Sequence, residues 1–227
     1  MTNFSFDIVG FDLDGTLLDT SGDLTAAVNH ALADAGRPRL TPAQVEPMIG
    51  GGAKNMLRQA LDATGRCEAE EFSRLYKVML GYYEAHIAVA TTPYPSMIDA
   101  LDALAAMGVA LAVVTNKFEA FAQKLLTEIG LRDRFACLIG GDTMGKGLSK
   151  PHRAPIDEMI RRCGGVIGQS RAVFVGDSIY DIDAAKNAGI ASVAVSFGFL
   201  LQPVETLGAD AVIDRYDELI PTLARLA

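Results

Sequence analysis

Two aspartates two residues apart close the first apolar run of this 227-residue chain, in Phe11-Asp12-Leu13-Asp14-Gly15-Thr16. In an extended chain, residues two apart face the same way, so Asp12 and Asp14 point together. Carboxylates this close repel, and both stay ionised only beside a cation; otherwise one takes a proton. Two solvated loop aspartates before a turn glycine would read the same, but the run ahead of them is strongly apolar.

Three further clusters carry polar groups that suit an anion or a cation. Val113-Val114-Thr115-Asn116-Lys117 ends an apolar run just before a helical pattern. A hydroxyl and an amide at a helix N-terminus suit an anion, because free backbone N–H groups and the helix dipole point there. Thr and Asn are also ordinary N-caps. In Gly145-Lys146-Gly147-Leu148-Ser149-Lys150-Pro151 the residue before proline is held extended, which stiffens the loop at Lys150. An ammonium fixed there can neutralise Asp12 and a phosphate, and Lys146 competes for that role. Phe174-Val175-Gly176-Asp177-Ser178-Ile179-Tyr180-Asp181 puts Asp177 at the end of another apolar run. Asp181 follows one helical turn later and returns to the same side. Hard carboxylate oxygens of this kind are what magnesium prefers, although Asp177 is also a fitting cap for a helix beginning at Ile179.

These residues need a frame that brings them to one edge. Five short runs read as buried strands: 6–11, 109–114, 136–139, 172–175 and 191–195. Helical patterns at 97–107, 118–129 and 179–188 stop at Gly108, Gly130 and Gly189. Strand and helix in alternation imply an α/β fold, a Rossmann-like parallel sheet with helices on both faces. Such sheets bind ligands beyond the carboxyl ends of their strands. Between the first two strands only helical patterns appear, at 24–35, 53–63 and 68–90. The simplest organisation is a core of residues 1–17 and 93–227 with an all-helical insert, 18–92, hinged at 17–21 and 90–96.

Composition narrows the classes. Half of the residues are apolar, and the formal net charge is −8 with no run of basic residues, which argues against a nucleic-acid partner. No stretch reads as a secretory signal or a membrane span. Cys67, Cys137 and Cys163 form no paired motif, so neither a zinc site nor a disulfide framework is expected, and a cytoplasmic location fits reduced thiols.

The motifs together resemble those of the haloacid dehalogenase-like hydrolases, and among them most closely the phosphoglycolate phosphatases. Asp12 through Leu17 is similar to the first family motif, Thr115-Asn116 to the second, Lys150-Pro151 to the third, and Gly176-Asp177-Ser178 through Asp181 to the fourth. The resemblance implies Asp12 as a nucleophile that forms an aspartyl-phosphate, and Asp14 as the acid and base that protonates the leaving alcohol and then activates water. It implies Mg²⁺ held by Asp12, Asp177 and the backbone carbonyl of Asp14. Thr115, Asn116 and Lys150 would grip the phosphoryl oxygens. Asp181 would orient Lys150 or a metal-bound water, and Gly15, Thr16 and Ser178 would support the site. The insert would be a cap that closes over the site, with Gly51, Gly52 and Lys54 in a substrate-specificity loop. The substrate would be a small phosphorylated metabolite, 2-phosphoglycolate by resemblance, and the enzyme a monomer or homodimer.

One departure is His152-Arg153, where family members often carry Asp-Pro. The second aspartate favours a phosphate ester over a haloacid, which has no leaving alcohol to protonate. A β-phosphoglucomutase-type mutase and a pyrophosphatase are the enzymatic alternatives. A receiver-like domain that only accepts phosphate is the non-enzymatic one.

Overall fold

The computed structural model describes residues 6–226; the outermost residues of the expected core, 1–5 and 227, lie outside it. Six parallel strands form the main sheet: β1 (Ile8–Phe11), β4 (Ala110–Val114), β5 (Cys137–Ile139), β6 (Ala172–Gly176), β7 (Ala191–Val195) and β8 (Ala211–Ile213). Their spatial order is β5-β4-β1-β6-β7-β8. From β1 the chain runs outward through β4 to β5, then crosses back to place β6 on the other side of β1. That reversal opens a crevice at the carboxyl ends of β1, β4 and β6.

Residues along β1 alternate between two cores. Val9 and Phe11 join the cluster containing Leu101 and Leu104 of α5 (Met97–Ala106), Leu125 and Leu126 of α6 (Glu119–Glu128), and Leu219 and Leu223 of α9 (Leu219–Arg225). Ile8 joins Ile156, Met159 and Ile160 of α7 (Ala154–Arg162) and Ala184 and Ala185 of α8 (Ile179–Ala188) on the other face. Period-two burial on both sides is the mark of a sheet covered by helices. Helix α8 stops at Gly189, whose φ of 72° is the left-handed geometry that glycine adopts without a Cβ penalty.

The insert leaves the core through β2 (Leu18–Asp19) and returns through β3 (Thr92–Pro93), and these two pair antiparallel as a narrow ribbon. Between them lie α1 (Ser21–Asp34), α2 (Pro42–Val45), α3 (Ala53–Thr64) and α4 (Ala69–Ala85). Buried Asp23 closes the hinge: its carboxylate accepts the N–H of Ala90 at 2.9 Å and both the N–H and the hydroxyl of Thr91, at 2.9 and 2.7 Å. Helix α4 ends at Ala85, short of residue 90, because the chain must turn there to meet Asp23.

Two further elements escape the sequence patterns. β8 is three residues long with Val212 largely exposed, too short to show an alternation. Helix α7 follows the Lys150-Pro151 peptide, which is cis, and begins among charged and small residues. Cys137 and Cys163, distant in sequence, bring their sulfurs to 3.8 Å, a thiol–thiol hydrogen bond and not a disulfide.

Candidate active site

The ladder between β1 and β6 continues one residue past the strand, with the Asp12 N–H donating to the Val175 carbonyl at 2.9 Å. This fixes the backbone of Asp12 at the sheet edge and aims its buried carboxylate into the crevice. Lys150 meets it there. The Lys150 ammonium uses all three of its donors inside the protein: Asp12 Oδ1 at 2.6 Å, Asp181 Oδ1 at 2.5 Å and the Val114 carbonyl at 2.8 Å. The other oxygen of Asp181 accepts the N–H and hydroxyl of Ser178, at 3.0 and 2.6 Å. Asp181 therefore closes the capping box of α8 and holds Lys150 at once.

Asp177 follows β6. Its carboxylate accepts the Thr16 hydroxyl at 3.0 Å and the Phe199 N–H at 2.7 Å. Gly15 passes so close, at φ 84°, that a Cβ on it would run into the Asp177 carboxylate. The turn after β1 thus requires glycine on two grounds, conformation and space.

Asp14 turns toward the insert. It accepts the Thr20 hydroxyl at 2.7 Å, and Lys117 Nζ donates to both of its oxygens at 2.7 Å. The Tyr83 ring of α4 covers that ammonium, centroid to nitrogen 4.9 Å.

The charges in this cluster do not balance. Among the described residues, Asp12, Asp14, Asp177 and Asp181 face only Lys117 and Lys150 as bonded cations, a deficit of two positive charges when all are ionised. The titration behaviour follows. Burial pushes the Asp12 carboxyl up to about 6; Lys150 opposes the rise and Asp181 adds to it. Burial, then Asp181 and Asp12, hold Asp177 well above the usual carboxylate range. For Lys150 burial works against the charge, but Asp12 and Asp181 outweigh it and raise the pKa. Oxygens of Asp12, Asp177 and Asp181 lie within 4.8 Å of one another. Crowded hard donors short of two positive charges fit a divalent cation such as Mg²⁺.

Thr115 is buried at the end of β4, and its hydroxyl oxygen accepts the Lys117 N–H at 3.2 Å. The Asn116 side-chain amide donates to the carbonyls of Gly50 and Lys150, at 3.3 and 3.2 Å, tying the insert's glycine loop to the lysine loop. Both amide hydrogens thus go to backbone carbonyls, and Asn116 Oδ1 has no partner. Gly51, Gly52 and Lys54 line the same chamber of about 350 Å³ that Asp12 and Asp14 border. Lys146 lies exposed on the surface, whereas Lys150 is in the cluster.

Sequence reasoning assigned no role to Lys117, Thr20 or Phe199. Lys117 had a signal: it stands two residues after Thr115 at a strand end, a spacing that returns it to the same side. Thr20 and the Phe199 N–H had none, since loop geometry alone brings them in. The apolar walls of the chamber, among them Met79 and Phe121, looked like ordinary core positions.

A six-stranded parallel sheet with this acidic edge defines a class, and comparison with known proteins agrees on it. Residues 9–195 match the family described as haloacid dehalogenase-like hydrolase, and the chain belongs to that family. Relatives named phosphoglycolate phosphatase are 40% identical over 215 residues in Agrobacterium fabrum, spanning 94% of this chain and 90% of theirs, and 39% identical over 218 residues in Mesorhizobium japonicum, spanning 96% and 94%. A crystal structure described as a predicted phosphoglycolate phosphatase from Haemophilus somnus superposes with a TM-score of 0.88 at 32% identity, over 96% of this chain and 98% of that one.

Proposed function

We propose that the chain is a Mg²⁺-dependent phosphatase of small phosphate monoesters, with 2-phosphoglycolate as its substrate and Asp12 as the phosphoryl acceptor. The observation that carries this reading is Asp12 itself, a buried carboxylate at the central strand's end, paired with a saturated lysine and short of positive charge.

An Asp12 oxygen attacks phosphorus, and the bond to the ester oxygen breaks with its electron pair going to that oxygen. Asp14 delivers the proton that makes it an alcohol. Water then attacks phosphorus, its proton passing to Asp14, and the bond to Asp12 breaks to restore the carboxylate. Thr115 holds a phosphoryl oxygen, and the Lys150 charge, fixed by Asp12, Asp181 and the Val114 carbonyl, offsets the charge that spreads over the phosphoryl oxygens in the loose transition state. Asp12, Asp177 and the Asp14 carbonyl would hold Mg²⁺, which would screen the repulsion between carboxylate and phosphate. Asp181, Ser178, Thr16 and Gly15 position these groups. Residues 18–92 form a cap whose apolar walls exclude water, and Gly51, Gly52 and Lys54 contact the substrate's far end. The enzyme is read as a monomer or homodimer, and three unpaired cysteines suit the cytoplasm.

Phosphate release from a panel of phosphorylated metabolites, with and without Mg²⁺, tests the reading. Activity is expected from wild type with metal and from neither wild type with chelator nor Asp12→Asn. A fully active Asp12→Asn would refute it.

A further inference from the structure

Of the three thiols, two meet. Cys137 opens β5 at the edge of the sheet and is 5% exposed. Cys163 closes α7 as its C-cap residue and is half-buried. They lie 26 positions apart in sequence, yet their sulfurs stand 3.8 Å from each other, against the apolar cluster of Ile8, Ile156 and Ile160. A disulfide holds its sulfurs at about 2.05 Å, so closure asks each side chain to move by roughly an ångström. Cys163 stands at a helix end and is followed by Gly164 at φ 81°, where the backbone yields more readily than in a strand.

The two thiols are not equivalent. The hydrogen bond from Cys137 holds the Cys163 thiol below its ordinary value, although burial opposes this. That same contact, with burial, pushes the Cys137 thiol up, and Arg162 and Arg132 oppose the rise. Cys163 is also the more accessible of the two. A reachable sulfur with thiolate character beside a buried, protonated one is an attacking thiol next to a resolving thiol. Cys67 differs: its thiol contacts the carbonyl of Glu68 at 3.5 Å, and burial and Glu71 push it up.

We infer that Cys137 and Cys163 form an oxidisable dithiol, which a hydroperoxide closes to a disulfide that braces α7 against β5 and a small thiol reopens. The Cys163 sulfur attacks a peroxide oxygen, the O–O bond breaks, and the departing oxygen takes the thiol proton, leaving Cys163 as a sulfenic acid. The Cys137 sulfur then attacks that sulfur; the S–S bond forms, the S–O bond breaks, and the oxygen leaves as water with the Cys137 proton. Two molecules of a small thiol reverse the step by exchange and become a disulfide themselves. Cys137 lies at the amino end of β5, opposite the edge that carries Asp12, so the inference is independent of the phosphatase reading.

Reduced wild-type protein, freed of reductant, is treated with stoichiometric hydrogen peroxide, alkylated and mapped without reduction. A linked peptide carrying positions 137 and 163 is expected, with Cys67 alkylated and glutathione restoring all three thiols. Before oxidation, Cys163 should alkylate at least roughly tenfold faster than Cys137. The linked protein should melt about 5–10 °C higher than the reduced one, because the cross-link closes a long loop in the unfolded chain. Cys137→Ser should leave a Cys163 sulfenic acid that dimedone traps, and Cys163→Ser should leave Cys137 unmodified. Peroxide treatment that yields no linked 137–163 peptide, or that modifies Cys67 first, overturns the inference. So does a linked protein that melts no higher than the reduced one.

Discussion

Two surfaces face each other across one chamber, and they are built on opposite principles. The sheet edge is made of charges tied to one another: Lys150 to Asp12 and Asp181, Asp177 to Thr16 and Phe199, Lys117 to Asp14. The insert contributes apolar side chains from α1, α3 and α4, and meets the edge through the Thr20 hydroxyl, the Gly50 carbonyl and the Tyr83 ring. Strand ends hold groups within tenths of an ångström because ladders and caps fix the backbone. Helix walls fix no such positions; they remove water, which strengthens each electrostatic contact at the edge. Precision and exclusion are thus supplied by different parts of the chain, and substitutions on the two sides should differ in kind.

The largest effect is expected at Lys150. Lys150→Met leaves Asp12 and Asp181 buried without their cation, and losing one partner of a buried pair costs about 3–5 kcal/mol. The urea midpoint should fall accordingly, and phosphate release should drop below detection. A Lys150→Met protein as stable and active as wild type would erase the contrast between the two surfaces.

Next in size is the response to pH. Attack requires ionised Asp12, whose carboxyl burial pushes up to about 6, so kcat/KM should fall about tenfold per unit below that pH. Raising Mg²⁺ should move this limb to lower pH, because proton and cation compete for the same carboxylates. The same shift sets a sign for stability. Without metal, native Asp12 binds its proton more tightly than the unfolded chain, whose value stays near 3.8. Its contribution is therefore complete below about pH 4 and gone above about pH 6. Chelator-treated protein should melt higher at pH 5 than at pH 7 on this account, with Mg²⁺ restoring stability at pH 7.

Gly15→Ala is smaller. The added Cβ presses on the Asp177 carboxylate at a positive φ, and kcat should fall roughly 10- to 100-fold, in line with an ångström-scale displacement of a reacting group. Smallest are changes across the chamber. Lys54→Ala, at an exposed position in the first turn of α3, should alter KM by about threefold or less and leave kcat intact. A Lys54→Ala enzyme with kcat reduced a hundredfold would move a catalytic duty into the insert.

The contrast also explains what the sequence revealed. Asp12 and Asp177 stand next to strand ends, where an apolar run stops at a carboxylate, and Lys150 is marked by the proline after it, so the acidic edge and its lysine were legible. The parallel sheet and the helical insert followed from the same periodicities. Lys117 was overlooked because its partner, Asp14, is distant in sequence and only the fold joins them. The Asn116 amide bridges the carbonyls of Gly50 and Lys150, a contact set by how the insert sits on the core and without a signal in the sequence. The apolar walls could not be told from core, since a Met or Phe facing a chamber and one facing a helix have the same pattern. β8 was too short for any periodicity to register.

The central claim is that Asp12 carries the phosphoryl group. Acid quenching during turnover, followed by borohydride reduction and peptide mass spectrometry, converts an aspartyl-phosphate into homoserine at the residue that bore it. The account predicts homoserine at position 12, present with Mg²⁺ and absent with chelator. Steady phosphate release with no modification at position 12, or with modification at position 14 or 177 instead, would contradict it.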